Sequence, residues 1–233
     1  RFGYYRFVSG NSFEVDTGNL LFATEGQLNN GPWVLDDDLK KYNAIAKYSR
    51  VGDTRLQVMA TVYHSTWNAT DQIPARAVSS GLIDELGFID DDLGGETTRL
   101  SLSAKAETEK LSALLYGQYY DFNLFSNFTY FLDDPVNGDE FEQLDTRSVF
   151  GGHLIYRDNL SLTGLDMDWS LGGTFRYDHI SDVGLFKTVS RNRISTIRHD
   201  QVDELSLGLF GDATVYLTDD IRITGGMRVD RLS

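Results

Sequence analysis

The sequence has 233 residues, of which 41% are hydrophobic, and it carries no cysteine and a formal net charge of −14. The lack of cysteine excludes disulfides, thiolate metal sites and cysteine nucleophiles. The acidic balance argues against a nucleic-acid partner, because phosphate binding needs a basic surface. No run approaches the roughly 18 consecutive apolar residues of a transmembrane helix, so any membrane contact is expected through strands.

The start of the sequence, Arg1 to Tyr5, has no initiator methionine, basic n-region or apolar signal core. Residues 4–15 already alternate as a strand does. We therefore expect the chain to begin inside a larger protein.

Ten segments alternate apolar and polar residues with the period of two that β-strands require. The clearest is the hairpin 204–230, in which Leu205, Leu207 and Leu209 share one face and Ser206 the other. Its arms run roughly 10 to 13 residues, matching the 9 to 11 that a strand needs to cross a bilayer. The predicted strands are 2–15, 19–28, 42–50, 55–63, 99–106, 110–122, 147–157, 167–178, 205–217 and 221–231.

The connections between these strands alternate short and long. Short turns are predicted at 16–19, 51–53, 107–109, 159–165 and 218–220, and long loops at 65–96, 123–145 and 179–203, after an excursion at 29–41. In an up-and-down antiparallel sheet every second connection lies at the same edge. The short turns therefore gather at one end and the long loops at the other, as in outer-membrane barrels.

Residues able to carry chemistry are few. The four histidines have no metal-binding spacing, although Asp178-His179 and His199-Asp200 flank one predicted loop and could pair near its mouth. The acidic runs Asp90–Asp92, Asp133-Asp134 and Asp139-Glu140 offer oxygen ligands without the ordered spacing of a calcium loop. We predict no catalytic residue, no metal site, no cofactor and no enzymatic activity.

Several segments resemble signatures of TonB-dependent outer-membrane receptors. They are 30–33 (NGPW), 67–74 (WNATDQIP), 76–78 (RAV), 94–99 (GGETTR), 125–135 (FSNFTYFLDDP) and 147–152 (RSVFGG). The resemblance implies a barrel of 22 strands around a plug domain, in the outer membrane of a Gram-negative bacterium. It also implies uptake of a scarce nutrient, such as a ferric siderophore or cobalamin, driven by the inner-membrane protein TonB through the plug.

The fold class predicted is all-β, an antiparallel up-and-down transmembrane barrel. Residues 1–233 are expected to form about ten of its strands, without plug or closing C-terminal strands. The partners implied are outer-membrane lipid, TonB through a plug domain, and a small-molecule ligand such as a metal chelate. Ligand contact is predicted in the loops 65–96 and 123–145, at Trp67, Asp71, Gln72, Arg76, Asn123, Phe125, Tyr130 and Arg147.

The alternative is a complete ten-stranded barrel that acts as an omptin-like protease or a passive pore. The two hypotheses differ in closure, because a complete barrel must pair its first strand with its last. The polar face carries many charges, including Arg55, Arg99, Arg176, Asp168 and Asp212. A narrow lumen would hold them only as paired networks. We therefore predict that strands one and ten do not pair.

Overall fold

A computed structural model describes residues 2–162 and 164–233, with only the backbone of Leu162. The described residues form ten strands and one short helix. The strands are β1 (Tyr5–Val15), β2 (Gly18–Asn29), β3 (Leu39–Arg50), β4 (Arg55–Asn68), β5 (Gly94–Glu107), β6 (Leu111–Ser126), β7 (Phe141–Leu162), β8 (Leu165–Val189), β9 (Asn192–Tyr216) and β10 (Arg222–Leu232), and the helix is α1 (Ala75–Ser79).

All ten strands belong to one antiparallel sheet in the order β1 to β10, so each strand pairs with its neighbours in sequence. This meander confirms the predicted up-and-down topology. β1 and β10 lie at opposite edges, and the described residues contain no ladder between them. The prediction that these strands do not pair is confirmed, and a closed ten-stranded barrel is not what the described chain forms.

The two faces of the sheet differ as the sequence predicts. Along one row the register joins Ala60 to Leu102, Leu102 to Gly117 and Gly117 to Phe150. Leu102 is more than half exposed and Leu209 is 70% exposed, although both are aliphatic. Such a broad exposed apolar surface is what a lipid-facing band provides. We call it the apolar face and the opposite side the polar face.

Charged residues of the polar face are largely paired with one another. Arg176 Nε donates to Asp178 at 2.6 Å, and Lys105 Nζ lies 2.9 Å from Glu107. Further pairs join Arg6 and Lys41 to Glu25, and Arg228 to Asp230. Pairing on an open sheet keeps these groups partly solvated, which lowers the desolvation penalty that a narrow lumen would impose.

Apolar character stops abruptly toward one end of the sheet. The row that joins Val62, Leu100 and Tyr119 is followed two residues higher by His64, Thr98 and Asp121. There His64 Nδ1 lies 2.9 Å from Thr98 Oγ1, and Thr146 donates to Asp121 at 2.7 Å. A change from exposed aliphatic to hydrogen-bonded polar residues is expected where a strand leaves the hydrocarbon layer.

The connections are sorted between the two ends, which we call the turn end and the loop end. The turn end has the short connections 16–17, 51–54, 108–110 and 217–221. β7 continues to Leu162 and β8 begins at Leu165, so the turn predicted at 159–165 is mostly strand, and Thr163 lies outside the described residues. The loop end has the connection 30–38, loop A (residues 69–93, with α1) and loop B (residues 127–140).

The prediction of a third long loop at 179–203 is wrong. β8 runs to Val189 and β9 starts at Asn192, so that residues 179–203 form the upper part of a hairpin whose two strands each have 25 residues. Ser190 and Arg191, which we call the tip, make the turn. The β8–β9 ladder has register shifts near Ile180, Leu185 and Lys187. β-Bulges of this kind let a long ribbon bend without losing its pairing.

Buried hydrophobic side chains of the described residues concentrate at the loop end. They include Leu93 of loop A, Leu144 of β7 and Phe186 of β8. The loop end is therefore a packed structure rather than a set of free loops. The described residues contain no helix of the length and apolarity needed to cross a bilayer.

Candidate ligand-binding site at the loop end

A cleft of about 240 Å³ lies at the loop end, where the tip meets the upper ends of β4, β5 and β6. It brings together three of the predicted ligand contacts, Trp67, Asn123 and Phe125. The remaining lining residues are Asp38, Thr66, Asn68, Gly95, Glu96 and Arg191. A concave site with aromatic walls and a few polar groups is the usual form of a small-molecule site.

Glycine is required where β5 enters this cleft. Gly94 has a φ of 137°, and a Cβ there would lie 2.2 Å from the carbonyl oxygen of Trp67. Only glycine permits both the backbone conformation and this close approach. The position fixes how β5 runs beside β4 below the cleft.

Asn123 is held by an ion pair that joins β7 to the long hairpin. Its Nδ2 donates to Glu142 Oε1 at 2.9 Å, and Arg193 donates to both oxygens of Glu142, at 2.5 and 3.0 Å. Glu142 is 3% exposed as a residue, and the Arg193 guanidinium carbon lies 3.9 Å from the centre of the Phe186 ring. A carboxylate only accepts, so the orientation of the Asn123 amide is fixed.

The same contact leaves Asn123 Oδ1 buried and without a hydrogen-bond partner among the described residues. A buried acceptor in this state is unfavourable by about 1 to 3 kcal/mol. Such groups are uncommon in native structures, and each asks for an explanation. Asn123 thus stands out among the predicted contacts.

Three other predicted contacts serve to join loop A to loop B. Asp71 accepts from the backbone N–H of Asn127 at 2.8 Å, and the Tyr130 hydroxyl donates to the carbonyl oxygen of Gln72 at 2.8 Å. Asn127 also donates to Asp90 at 2.7 Å. Burial, with the nearby charges of Asp71 and Asp90, raises the pKa of Tyr130. These groups are committed to loop structure.

The last two predicted contacts lie away from the cleft. Arg76 is an exposed residue of α1. Arg147 pairs with Tyr120 in the β6–β7 ladder, on the opposite face of the sheet from Asn123, and its Nε donates to Asp145 at 2.7 Å. The structure therefore divides the eight predicted contacts into a cleft group, a loop-joining group and these two arginines.

Loop B is organised around one carboxylate. Asp139 accepts from the backbone N–H groups of Leu132, Asp133 and Asp134 at 2.8 to 3.1 Å. Burial alone would raise the pKa of Asp139, but these N–H groups and the Thr129 hydroxyl outweigh it and lower the pKa to about 2. The loop keeps its shape through an ionised side chain rather than a hydrophobic core.

Carboxylates dominate the surface of the loop end. Arg76 is the one basic residue in the connection 30–38 and loops A and B, against acidic runs in all three. Oxygens of Asp90, Asp92 and Glu140 lie within 4.8 Å of one another. Oxygen donors of this kind suit Ca²⁺, but Glu140 Oε1 already accepts from Thr188 and from the backbone of Arg191. The absence of a metal site stays a prediction.

The two histidine–aspartate neighbours do not form a shared site. Asp178 lies on the polar face and pairs with Arg176, while His179 lies on the other face and its Nδ1 is 2.7 Å from Asp203. His199 Nε2 is 2.5 Å from Asp182 of β8. Each histidine is thus held in a local cross-strand pair, which does not create the acid–base pair considered from sequence.

Sequence analysis missed the contribution of the long hairpin to this site. Arg191 reaches loops A and B, and Arg193 reaches Glu142 of β7, because β8 and β9 continue far above the apolar face. The composition of residues 179–203 could have indicated the hairpin, because they contain no proline, one glycine and many β-branched residues. Such a composition favours strand over loop.

Comparison with known proteins gives structural but not sequence matches. No protein-family model and no curated protein matches the sequence. The structure matches the ferric-catecholate import receptor Fiu of Escherichia coli K12 in its open form, with a TM-score of 0.62 and 11% identity over 98% of this chain. It also matches the outer membrane transporter YddB of E. coli, with a TM-score of 0.52 and 9% identity over 98% of this chain.

The fold is that of an outer-membrane receptor barrel. The predicted resemblance and fold class are confirmed at this level, and the neighbours support the predicted outer-membrane location. Both neighbours are transport proteins rather than enzymes, in agreement with the predicted class. The chain spans 42% of the length of Fiu and 33% of that of YddB. In outer-membrane barrels the short turns lie on the periplasmic side and the long loops on the extracellular side.

Proposed function

We propose that residues 1–233 form part of the wall of a larger TonB-dependent receptor barrel, which takes up a scarce nutrient across the outer membrane. The observation that carries the proposal is the open ten-stranded sheet with an exposed apolar face. Both edge strands offer unpaired backbone groups, which a larger barrel would pair. The apolar face would contact outer-membrane lipid.

The ligand would be captured at the loop end. Trp67, Asn123 and Phe125 line one cleft. Arg191 lines it as well and bonds to Leu93 at the end of loop A and to Glu140 at the end of loop B. Aromatic anchors beside oriented polar groups are the usual carriers of binding energy. The other five predicted contacts remain proposals. Three of them, Asp71, Gln72 and Tyr130, would act by holding loops A and B together, and the other two are Arg76 and Arg147.

A metal chelate such as a ferric siderophore, or cobalamin, is the proposed class of nutrient. Fiu is described as an import receptor for ferric catecholates, which fits this class. Energy would come from TonB acting through a plug domain in the barrel. No nucleic acid and no resident cofactor is part of the proposal.

Loop replacement in the intact receptor tests the proposal. Loop A and loop B would each be replaced by a short Gly-Ser linker, and binding and uptake of a panel of ⁵⁵Fe-loaded siderophores and of ⁵⁷Co-cobalamin would be measured on whole cells. We expect uptake of one probe that requires TonB and is lost with either loop. The double substitution Asn123→Ala and Phe125→Ala should weaken binding of that probe by about tenfold or more.

The control is Val51→Ala in the 51–54 connection at the turn end, which should leave binding unchanged. If binding and uptake survive both loop replacements, the ligand site lies elsewhere. If no probe enters in a TonB-dependent way, the proposed nutrient class is wrong.

A further inference from the structure

The tip of the long hairpin has an unfavourable backbone conformation. Ser190 has a φ of 47° and Arg191 a φ of 60°. Two-residue hairpin turns with positive φ at both positions strongly favour Asn-Gly, because this conformation brings Cβ too close to a carbonyl oxygen in most residues. A strained residue that persists must be held by its surroundings, and it points to a role for its side chain.

Arg191 reaches from the tip to the end of loop A. Its Nη2 donates to the carbonyl oxygen of Leu93 at 3.1 Å, and its Nε donates to that of Asp92 at 2.5 Å. Its guanidinium carbon lies 5.2 Å from the centre of the Phe125 ring. The Leu93 side chain is 1% exposed, and the Leu93 carbonyl also accepts from the backbone N–H of Ala69. Arg191 thus ties the C-terminal end of loop A to the hairpin, and the N-terminal end of loop A bonds to that same segment.

Loop B joins the same junction through Glu140. Glu140 Oε1 accepts from the backbone N–H of Arg191 at 3.0 Å and from the Thr188 hydroxyl at 2.8 Å. The backbone N–H of Thr188 donates to the Glu140 carbonyl at 2.9 Å. Glu140 is 4% exposed and Thr188 is fully buried. These contacts hold the tip in place even without the Arg191 side chain.

We propose that the Arg191 side chain is a latch that closes loop A onto the long hairpin and forms one wall of the cleft. Arg191 lines the cleft together with Asn123, and its guanidinium lies over the Phe125 ring. When its hydrogen bonds to the Asp92 and Leu93 carbonyls break, this segment is released and the cleft opens on that side. The latch follows from geometry alone and does not depend on which nutrient the receptor carries.

Hydrogen exchange on the full-length receptor purified in detergent tests the latch. Arg191→Gly is the decisive variant, because glycine adopts a φ of 60° without strain and so preserves the turn while removing the guanidinium. We expect amides of the peptide 86–93 and that of Ala69 to exchange about tenfold faster or more, as local opening becomes easier. Amides of β5 below the cleft should be unchanged, showing that the sheet is intact.

Arg198→Ala is the matched control. Arg198 lies on the same hairpin, its side chain is 78% exposed, and it pairs with Asp200 on its own strand. Exchange in loop A should be unaffected. Arg191→Lys, which keeps the charge but loses the forked donor, should behave as Arg191→Gly does.

Unchanged exchange of 86–93 in Arg191→Gly would overturn the latch. If Arg191→Ala then accelerated exchange while Arg191→Gly did not, the effect would come from turn geometry and not from the guanidinium.

Discussion

Loop A and the β8–β9 hairpin, which are in contact at the loop end, satisfy their backbone hydrogen bonds in different ways. Loop A joins β4 to β5 through 69–93 as an irregular segment with one short helix, whereas β8 and β9 continue as a paired ribbon and turn in two residues. Both start from strands of the same sheet and rise above the same apolar face. Backbone groups are satisfied in loop A largely by side chains and turns, and in the hairpin by a continuous ladder.

The difference lies in local composition. Loop A contains Pro74, Gly81 and Gly87, each of which interrupts a ladder, and several Asp residues that bond to nearby backbone N–H groups. Residues 179–203 lack proline and are rich in Ile, Val and Thr. The loop is then stabilised by resting against the ribbon. A rigid ribbon beside an irregular loop is a suitable frame for a binding cleft.

The largest expected change in stability concerns the apolar face, which lies below both connections. Leu209→Arg should destabilise the folded protein in lipid by about 2 to 4 kcal/mol, because Leu209 is 70% exposed on the aliphatic side at mid-strand. The measurement is urea unfolding of the receptor in lipid vesicles. Ser206→Arg, on the polar face of the same strand, is the control and should be mild. Equal effects would show that the faces are wrongly assigned.

A smaller effect is expected where the ribbon supports the cleft. Arg193→Ala leaves the buried carboxylate of Glu142 with one donor, Asn123, and should destabilise the upper hairpin by about 1 to 3 kcal/mol. Hydrogen exchange of 183–196 reports this local stability. Arg193→Ala combined with Glu142→Gln should recover part of the loss, since no charge then remains buried. No recovery in the double variant would mean that Arg193 acts by packing on Phe186.

Loop B should respond to acid in a way the ribbon does not. Asp139 has its pKa lowered to about 2 in the folded state, against 3.8 for the unfolded group. Its contribution is therefore fully present above about pH 4 and is lost as the pH falls through 2. Exchange of the Leu132 and Asp134 amides, corrected for its intrinsic pH dependence, should accelerate over that window. Asp139→Asn should loosen loop B already at pH 7.

Asp133→Asn is the control for that experiment, because Asp133 is an exposed residue of the same loop. It should leave exchange at pH 7 unchanged. An Asp139→Asn variant with native exchange rates at pH 7 would refute the organising role of this carboxylate.

The sheet was predictable from sequence and most of the cleft was not. Period-two patterns such as Leu205, Leu207 and Leu209 gave strand positions and faces, since alternation is a property of the backbone alone. The cleft depends on contacts among Asn123, Glu142 and Arg193. Glu142 is 19 positions from Asn123 and 51 from Arg193, so sequence patterns do not show that these side chains meet. Trp67, Asn123 and Phe125 were predicted as contacts within the loops 65–96 and 123–145, whereas the structure places them in the upper ends of β4 and β6. Arg191 was missed because its hairpin was expected to be a loop.

The smallest expected effect tests why the ribbon turns where it does. Ser190 has a φ of 47°, which serine adopts less readily than asparagine. Ser190→Asn should therefore stabilise the hairpin by about 0.5 kcal/mol, since it relieves the first position of the turn and leaves Arg191 in place. Exchange of the tip amides and those of 187–194 should slow about twofold, while loop A keeps its native rates.

The matched variant is Ser195→Asn, on the same ribbon but within the β8–β9 ladder opposite Lys187. Asparagine is a poor strand residue, so this change should be neutral or slightly destabilising. If both substitutions have the same effect, the turn geometry at the tip contributes nothing to where the ribbon ends. If Ser190→Asn alone slows exchange, the sequence of the tip disfavours the turn, and the β8–β9 ladder and the contacts of the junction hold the turn in place. Loop A differs because its proline and glycines interrupt a ladder.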